Sequence, residues 1–297
     1  MSRNEHLCSN ISQMEYRQFG LTQREVAIVG QGTWNLEQDD RAQAITALQT
    51  GLDLGMNHID TAEMYGEGRV EELVAEAISG RRHEIFLVSK VLPENASRKK
   101  TVTACEKSLT RLRTDRLDCY LLHWRGEYSL EDTFAAFDQL HREGKILSWG
   151  VSNFDEADLD EALEIVGNVD EHHLVCNQVL YHLQERAIEH AVIPWCAEHQ
   201  AAVTAYSPFG SGDFPDASTR EGRVLQEIAA AHEATPRQVA LSFLLRWPAM
   251  FAIPKASKPK HVKDNAKAAS LRLSEEELSR IDKAFPRGPK PKELPTI

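Results

Sequence analysis

Short apolar runs recur along this chain near residues 57–60, 84–89, 118–122, 146–151, 174–179, 202–206 and 250–253, with amphipathic stretches between them. No other feature limits the possible folds as much. Strand-length apolar runs that alternate with helix-length segments imply βαβ units, and therefore a parallel sheet covered by helices. Adding the run near residues 27–30 gives eight strands, the number that closes a (β/α)8 TIM barrel. A doubly wound sheet is the weaker alternative. Ahead of the barrel, residues 15–20 and 25–30 read as an N-terminal β-hairpin.

The intervening segments carry helix signals. Val102, Cys105, Leu109 and Leu112 share one helical face, with Lys and Arg on the other. Thr235-Pro236-Arg237-Gln238 supplies an N-cap hydroxyl, a proline at the first helical position and a glutamine at the third. Ser274-Glu275-Glu276-Glu277 is a second capping box. No linker or low-complexity block divides the chain, so one barrel domain over residues 1–297 is expected. Residues 1–13 read as a loose tail. Residues 286–297 read as a proline-rich tail lying over the barrel.

Composition narrows the function classes. Lys and Arg number 34 against 45 Asp and Glu, and the resulting charge of −11 argues against a nucleic-acid partner. No run is long and apolar enough for a bilayer, and the polar Met1-Ser2-Arg3-Asn4-Glu5-His6 lacks the apolar centre of a secretion leader. The five cysteines are odd in number and show no CxxC spacing. A reduced, cytoplasmic and monomeric protein without a membrane partner is the expectation.

Three of the apolar runs stop on an ionisable residue: Asp60, Lys90 and His123. Tyr65 follows the first of them by five residues. In a parallel barrel all strands end on one face, where the active sites of this architecture lie. Each residue alone has an ordinary structural explanation: an ion pair for Asp60 and Lys90, a rim histidine for His123, a packed loop aromatic for Tyr65. Four of them converging on strand ends make one site the better reading. A metal-dependent hydrolase built on Asp60, Glu63 and His123 is a rival, but Lys90 and Tyr65 suit such a centre poorly, and no metal is expected.

Several fragments resemble the aldo-keto reductases: Gly55-Met56-Asn57-His58-Ile59-Asp60-Thr61-Ala62-Glu63-Met64-Tyr65-Gly66, Val88-Ser89-Lys90, Leu121-Leu122-His123-Trp124, Gly150-Val151-Ser152-Asn153-Phe154, Asn177-Gln178, Ala205-Tyr206-Ser207-Pro208 and Ile253-Pro254-Lys255. They stand in the family's order from about residue 15 to 285. The resemblance implies a barrel that uses NADPH to reduce a carbonyl, with Tyr65 as general acid supported by Lys90, Asp60 and His123. The chemistry is consistent with that. A free phenol titrates near pH 10 and is a poor acid at neutrality, so Lys90 beside it is expected to lower that value. Asp60 would keep Lys90 charged, and His123 would orient the carbonyl oxygen by a hydrogen bond. A cofactor-bound sensor with little turnover is the alternative from another class.

No glycine-rich dinucleotide fingerprint follows a strand, so a Rossmann domain is excluded. By the resemblance, the cofactor crosses the barrel mouth. Gly32, Thr33, Trp34 and Asp60 flank it, Ser152, Asn153 and Gln178 bond the carboxamide, and Tyr206 stacks on the nicotinamide. The loop Ser207-Pro208-Phe209-Gly210-Ser211-Gly212 would wrap the pyrophosphate. Lys255, Ala256, Ser257, Lys258, His261, Asp264 and Asn265 would meet the adenosine end. His261 stands where the family commonly has arginine and Asp264 where it has glutamate, so NADH acceptance alongside NADPH is expected. Trp34, Tyr65, His123 and Trp124 are the expected walls for a small-molecule carbonyl substrate, in a pocket left open by a short C-terminal region.

Overall fold

A computed structural model describes residues 14–297; the tail expected at 1–13 and Cys8 lie outside them. Tyr16–Gln18 (β1) and Glu25–Ala27 (β2) pair antiparallel as the anticipated hairpin. Eight parallel strands follow in chain order: Gln31–Gly32 (β3), His58–Asp60 (β4), Phe86–Val91 (β5), Leu117–Leu122 (β6), Ile146–Ser152 (β7), Cys176–Leu180 (β8), Ala202–Tyr206 (β9) and Met250–Ala252 (β10). Six helices each follow one strand: Arg41–Asp53 (α1), Arg69–Ala77 (α2), Arg98–Leu112 (α3), Leu130–Arg142 (α4), Glu156–Val166 (α5) and Val192–Glu198 (α6). Arg220–Ala231 (α7) and Pro236–Leu244 (α8) follow β9, while Pro259–Lys267 (α9) and Glu275–Ala284 (α10) follow β10.

The barrel closes at a seam between its first and last strands. The Gly30 amide donates to Ala252 O (2.8 Å) and the Ala252 amide to Ile28 O (2.9 Å). One sequence expectation shifts here. The apolar run near 27–30 divides, because Ala27 pairs back to Tyr16 in the hairpin while residues 28–30 make the seam. The first barrel strand proper is therefore Gln31–Gly32. Gly32 is required by that seam, since a Cβ there would lie 2.4 Å from Ile253 O.

Both proposed capping boxes form. Thr235 accepts from the Gln238 amide and Ser274 from the Glu277 amide, and each third residue returns a side-chain bond. Each cap contributes about 1 kcal/mol. On α3, Cys105, Leu109 and Leu112 are buried and Val102 half-buried, as the helical spacing requires.

Side chains alternate across a strand, so His58 and Asp60 on β4, and Phe86, Val88 and Lys90 on β5, share the inner face. The layers differ in chemistry. At the closed end Phe19, Phe86 and Phe251 surround the His58 imidazole, with ring centroids 4.6 Å apart for Phe19–Phe86 and 4.9 Å for Phe19–Phe251. Neither His58 ring nitrogen has a partner, and burial, with the Lys90 charge, pushes its pKa down to about 3. The unfolded chain therefore takes up a proton below about pH 6.5 that the folded chain refuses, and stability falls as pH drops from there toward 3. The slope is about 1.4 kcal/mol per pH unit for one such group. His58→Leu is expected to shallow this fall, read as urea midpoints at pH 7 and pH 4.5. The same fall in both proteins would remove His58 as its source.

Candidate active site

The charged layer lies at the opposite end, where β4, β5 and β6 finish. Asp60 is the last residue of β4, Lys90 sits near the end of β5, and His123 follows β6 directly. Tyr65 enters from the loop after β4, opening a tight turn in which Gly66 adopts φ 56°. Lys90 Nζ donates to Asp60 Oδ1 (2.6 Å), Thr61 O (2.9 Å) and the Tyr65 oxygen (3.0 Å). Those three bonds use every donor of the ammonium. The phenol oxygen is an acceptor in this arrangement, which leaves its own proton to be given elsewhere. Gln178 donates from β8 to Asp60 Oδ2 (2.7 Å), so both carboxylate oxygens are held.

Burial dominates the titration of this cluster. It pushes the Asp60 carboxyl and the Tyr65 phenol upward, against the Lys90 charge. Burial works to strip Lys90 of its proton, yet Asp60 and the phenol hold it above the ordinary lysine range. The His123 imidazole is pushed down to about 2 by burial and then by Lys90, so it is neutral. The expected lowering of the Tyr65 pKa is thus corrected: the phenol loses more by leaving water than one ammonium returns. His123 lies edge-on to Tyr65 with centroids 5.8 Å apart, and its single N–H can serve one oxygen in the cavity.

A cavity of about 390 Å³ opens above this layer. Gly32, Thr33, Trp34 and Asp60 line it on one side, and Ser152, Asn153 and Gln178 on another. Tyr206, Ser207, Pro208, Phe209, Ser211 and Lys255 continue the wall, with Tyr65, His123 and Trp124 at the end nearest Lys90. Tyr206 donates to Asn153 Oδ1 (2.9 Å), and Asn153 Nδ2 donates to His123 O (3.1 Å), so the β6, β7 and β9 ends are tied together. Burial pushes Tyr206 up to about 12, which keeps it a neutral donor.

The metal rival loses its ligands. Glu63 Oε1 accepts from the Leu92 amide (2.8 Å) and from Asn95 (3.0 Å), while Asp60 is engaged by Lys90 and Gln178. Among the described residues, no group of three or more His, Cys, Asp or Glu side chains is placed to hold a metal ion.

Comparison with known proteins agrees with this layout. The sequence model of the Aldo/keto reductase family matches residues 28–285. The chain belongs to the aldo/keto reductase family. Methylglyoxal reductase YeaE of Escherichia coli is 45% identical over 260 residues, covering 87% of this chain and 90% of that protein. A glyoxal reductase of Bacillus subtilis is 32% identical over 276 residues, covering 91% and 94%. The crystal structure of an aldo-keto reductase from Klebsiella pneumoniae in complex with NADPH superimposes with a TM-score of 0.89 at 41% identity, covering 96% of this chain and 99% of that one.

Within this aldo/keto reductase barrel, most residues expected at the adenosine end stand apart from that cavity. Ala256, Ser257, Lys258, His261, Asp264 and Asn265 do not line the cavity. Lys258 and His261 are exposed on and beside α9, whereas Ser257 and Asn265 are buried. Asp264 is already committed: Oδ1 accepts from Gln238 (2.7 Å) and Oδ2 from Thr235 (3.1 Å), which staples α8 to α9. Its carboxylate is therefore a structural acceptor rather than a free one. Lys255 is paired with Asp39, a residue the sequence reading passed over.

Other lining residues were also missed: Asn35, Met64, Ile253 and Ile297. Asn35, Asn153, Ser207 and Ser211 all carry positive φ, between 48° and 60°. Such backbone is costly outside glycine and gathers where a loop is bent around a site. Only the asparagines, which tolerate it best, offered a sequence signal. The C-terminal tail does reach the pocket. Arg186 holds Phe285 O (2.6 Å), Lys290 pairs with Glu156 (2.9 Å), and Ile297 lines the cavity. The expectation of a mouth left open by this segment is corrected accordingly.

Proposed function

We propose that this chain is an NADPH-dependent reductase of small aldehydes, ketoaldehydes or sugars, with Tyr65 as general acid. One observation carries the reading: Lys90 spends all three donors on Asp60, Thr61 and Tyr65, which aims a phenol with a spare proton into the cavity. Bound NADPH supplies the hydride. As charge builds on the carbonyl oxygen, Tyr65 gives up its proton and Lys90, 3.0 Å away, stabilises the phenolate left behind. Lys90 thus acts on the product of proton transfer, while burial keeps the phenol protonated beforehand. Neutral His123 orients the carbonyl oxygen.

The wall fits the cofactor. Ser152, Asn153 and Gln178 offer hydroxyl and amide groups to a carboxamide, and Tyr206 offers a held ring face. Lys255 and Lys258 supply cations beyond the pocket for a phosphate dianion, with Lys255 exchanging Asp39 for it. The relatives named for methylglyoxal and glyoxal reduction favour small dicarbonyls as substrates. The whole site comes from one chain, so a monomer suffices. No described helix is long and apolar enough to cross a membrane. A cytoplasmic enzyme that also accepts NADH is the fuller form of this reading. A non-catalytic sensor has no observation in its favour.

Loss of NADPH absorbance with glyoxal, methylglyoxal and an aldose panel tests the activity, and no turnover with any of them would defeat it. Lys255→Ala with Lys258→Ala is expected to raise the NADPH KM by tenfold or more and leave the NADH KM within twofold; equal changes would move the adenosine end elsewhere. With Tyr65 pushed upward, reduction should stay level through neutral pH and decline only above about pH 10, where the acid loses its proton. His123, titrating at about 2, contributes no limb between pH 5 and 8. A limb near pH 6.5 would contradict that protonation state.

A further inference from the structure

We propose that Arg237 supplies the guanidinium that grips the 2′-phosphate of the cofactor, from α8 rather than from α9. The inference rests on the NADPH reading above and names a residue that reading did not use. On α9 the exposed position 261 holds a histidine, and Asp264 is turned into the protein by Thr235 and Gln238. Pro236 and Arg237 are the two residues between those anchors, so Arg237 stands where α8 is stapled to α9. Its guanidinium lies 4.7 Å from the Phe214 ring centroid and 5.6 Å from that of Phe209. Phe209 itself lines the cavity. Arg237 therefore reaches the loop expected at the pyrophosphate from the turn of α8 whose neighbours Thr235 and Gln238 bond to α9.

Its chemistry fits that place. Arg237 is exposed, and among the described residues it has neither an ion-pair partner nor a side-chain hydrogen bond. Contact with the Phe214 ring and, at longer reach, with Phe209, whose planes stand 84° apart, holds the guanidinium in place without using any N–H. All five donors stay available in a planar fork, the shape that binds phosphate oxygens in pairs. The rings pre-order the long side chain, so less entropy is lost when the phosphate arrives.

Two fragments that differ only by the phosphate in question provide the test: adenosine 2′,5′-bisphosphate and 5′-AMP, titrated into the intact protein by calorimetry. Arg237→Ala is expected to weaken the bisphosphate tenfold or more and leave 5′-AMP within twofold, with the urea midpoint unchanged. Arg237→Lys should recover part of the loss, because it keeps the charge and loses the fork. Equal weakening of both fragments would show that Arg237 only staples the loop, and unchanged affinities would show no role; either result overturns the proposal. If the unsubstituted protein fails to prefer the bisphosphate, the NADPH reading falls and this proposal falls with it. A preference that survives in Arg237→Ala but vanishes in Lys255→Ala with Lys258→Ala overturns Arg237 alone.

Discussion

Tyr65→Phe is expected to lower kcat for carbonyl reduction by about 10²–10⁴-fold while NADPH binding stays within twofold. The substitution removes one oxygen and retains the ring, which is buried beside His123. The alcohol oxygen then has no adjacent proton source except water. Lys90 has one N–H freed in this variant, but Asp60 holds its ammonium above the ordinary lysine range, so it is a poor proton donor. Cofactor titration by fluorescence and single-turnover reduction separate binding from chemistry. Near-normal single-turnover rates in Tyr65→Phe would end the assignment of this residue as the acid.

Lys90→Met should damage both activity and stability, and the two effects have different origins. Asp60 is fully buried, and without the ammonium its charge has only Gln178 as a partner. Breaking a buried pair in this way costs about 3–5 kcal/mol, read as a lower urea midpoint. The phenolate left by Tyr65 also loses its nearest cation, worth about 10²–10³ in kcat. Lys90→Met with Asp60→Leu removes both charges, so it is expected to regain much of the midpoint and none of the rate. A double variant as unstable as the single one would mean that Lys90 supports the fold by packing alone.

Much of this architecture was legible because its signals are local. The alternation of apolar runs predicted a parallel barrel, and the boxes at Thr235 and Ser274 formed as read. Asp60, Lys90 and His123 were visible as ionisable residues closing apolar runs, a pattern that depends only on strand period and on strands ending together. The adenosine end was less legible. Whether Asp264 faces a ligand or Gln238 depends on how α8 lies against α9, and nothing within either helix encodes that. Asp39 was missed for a similar reason, since its partner Lys255 is remote in sequence and meets it only across the closed barrel.

By itself, then, the sequence determined the family, the barrel and the meeting of Asp60, Tyr65, Lys90 and His123 at one end of it, since strand period and strand order are properties of neighbours along the chain. Tertiary structure alone decided the protonation of those residues. Burial raised the Tyr65 phenol where pairing with Lys90 suggested the reverse, and it held His123 neutral. Desolvation is set by everything packed around a group, and that surrounding exists only once the barrel has closed.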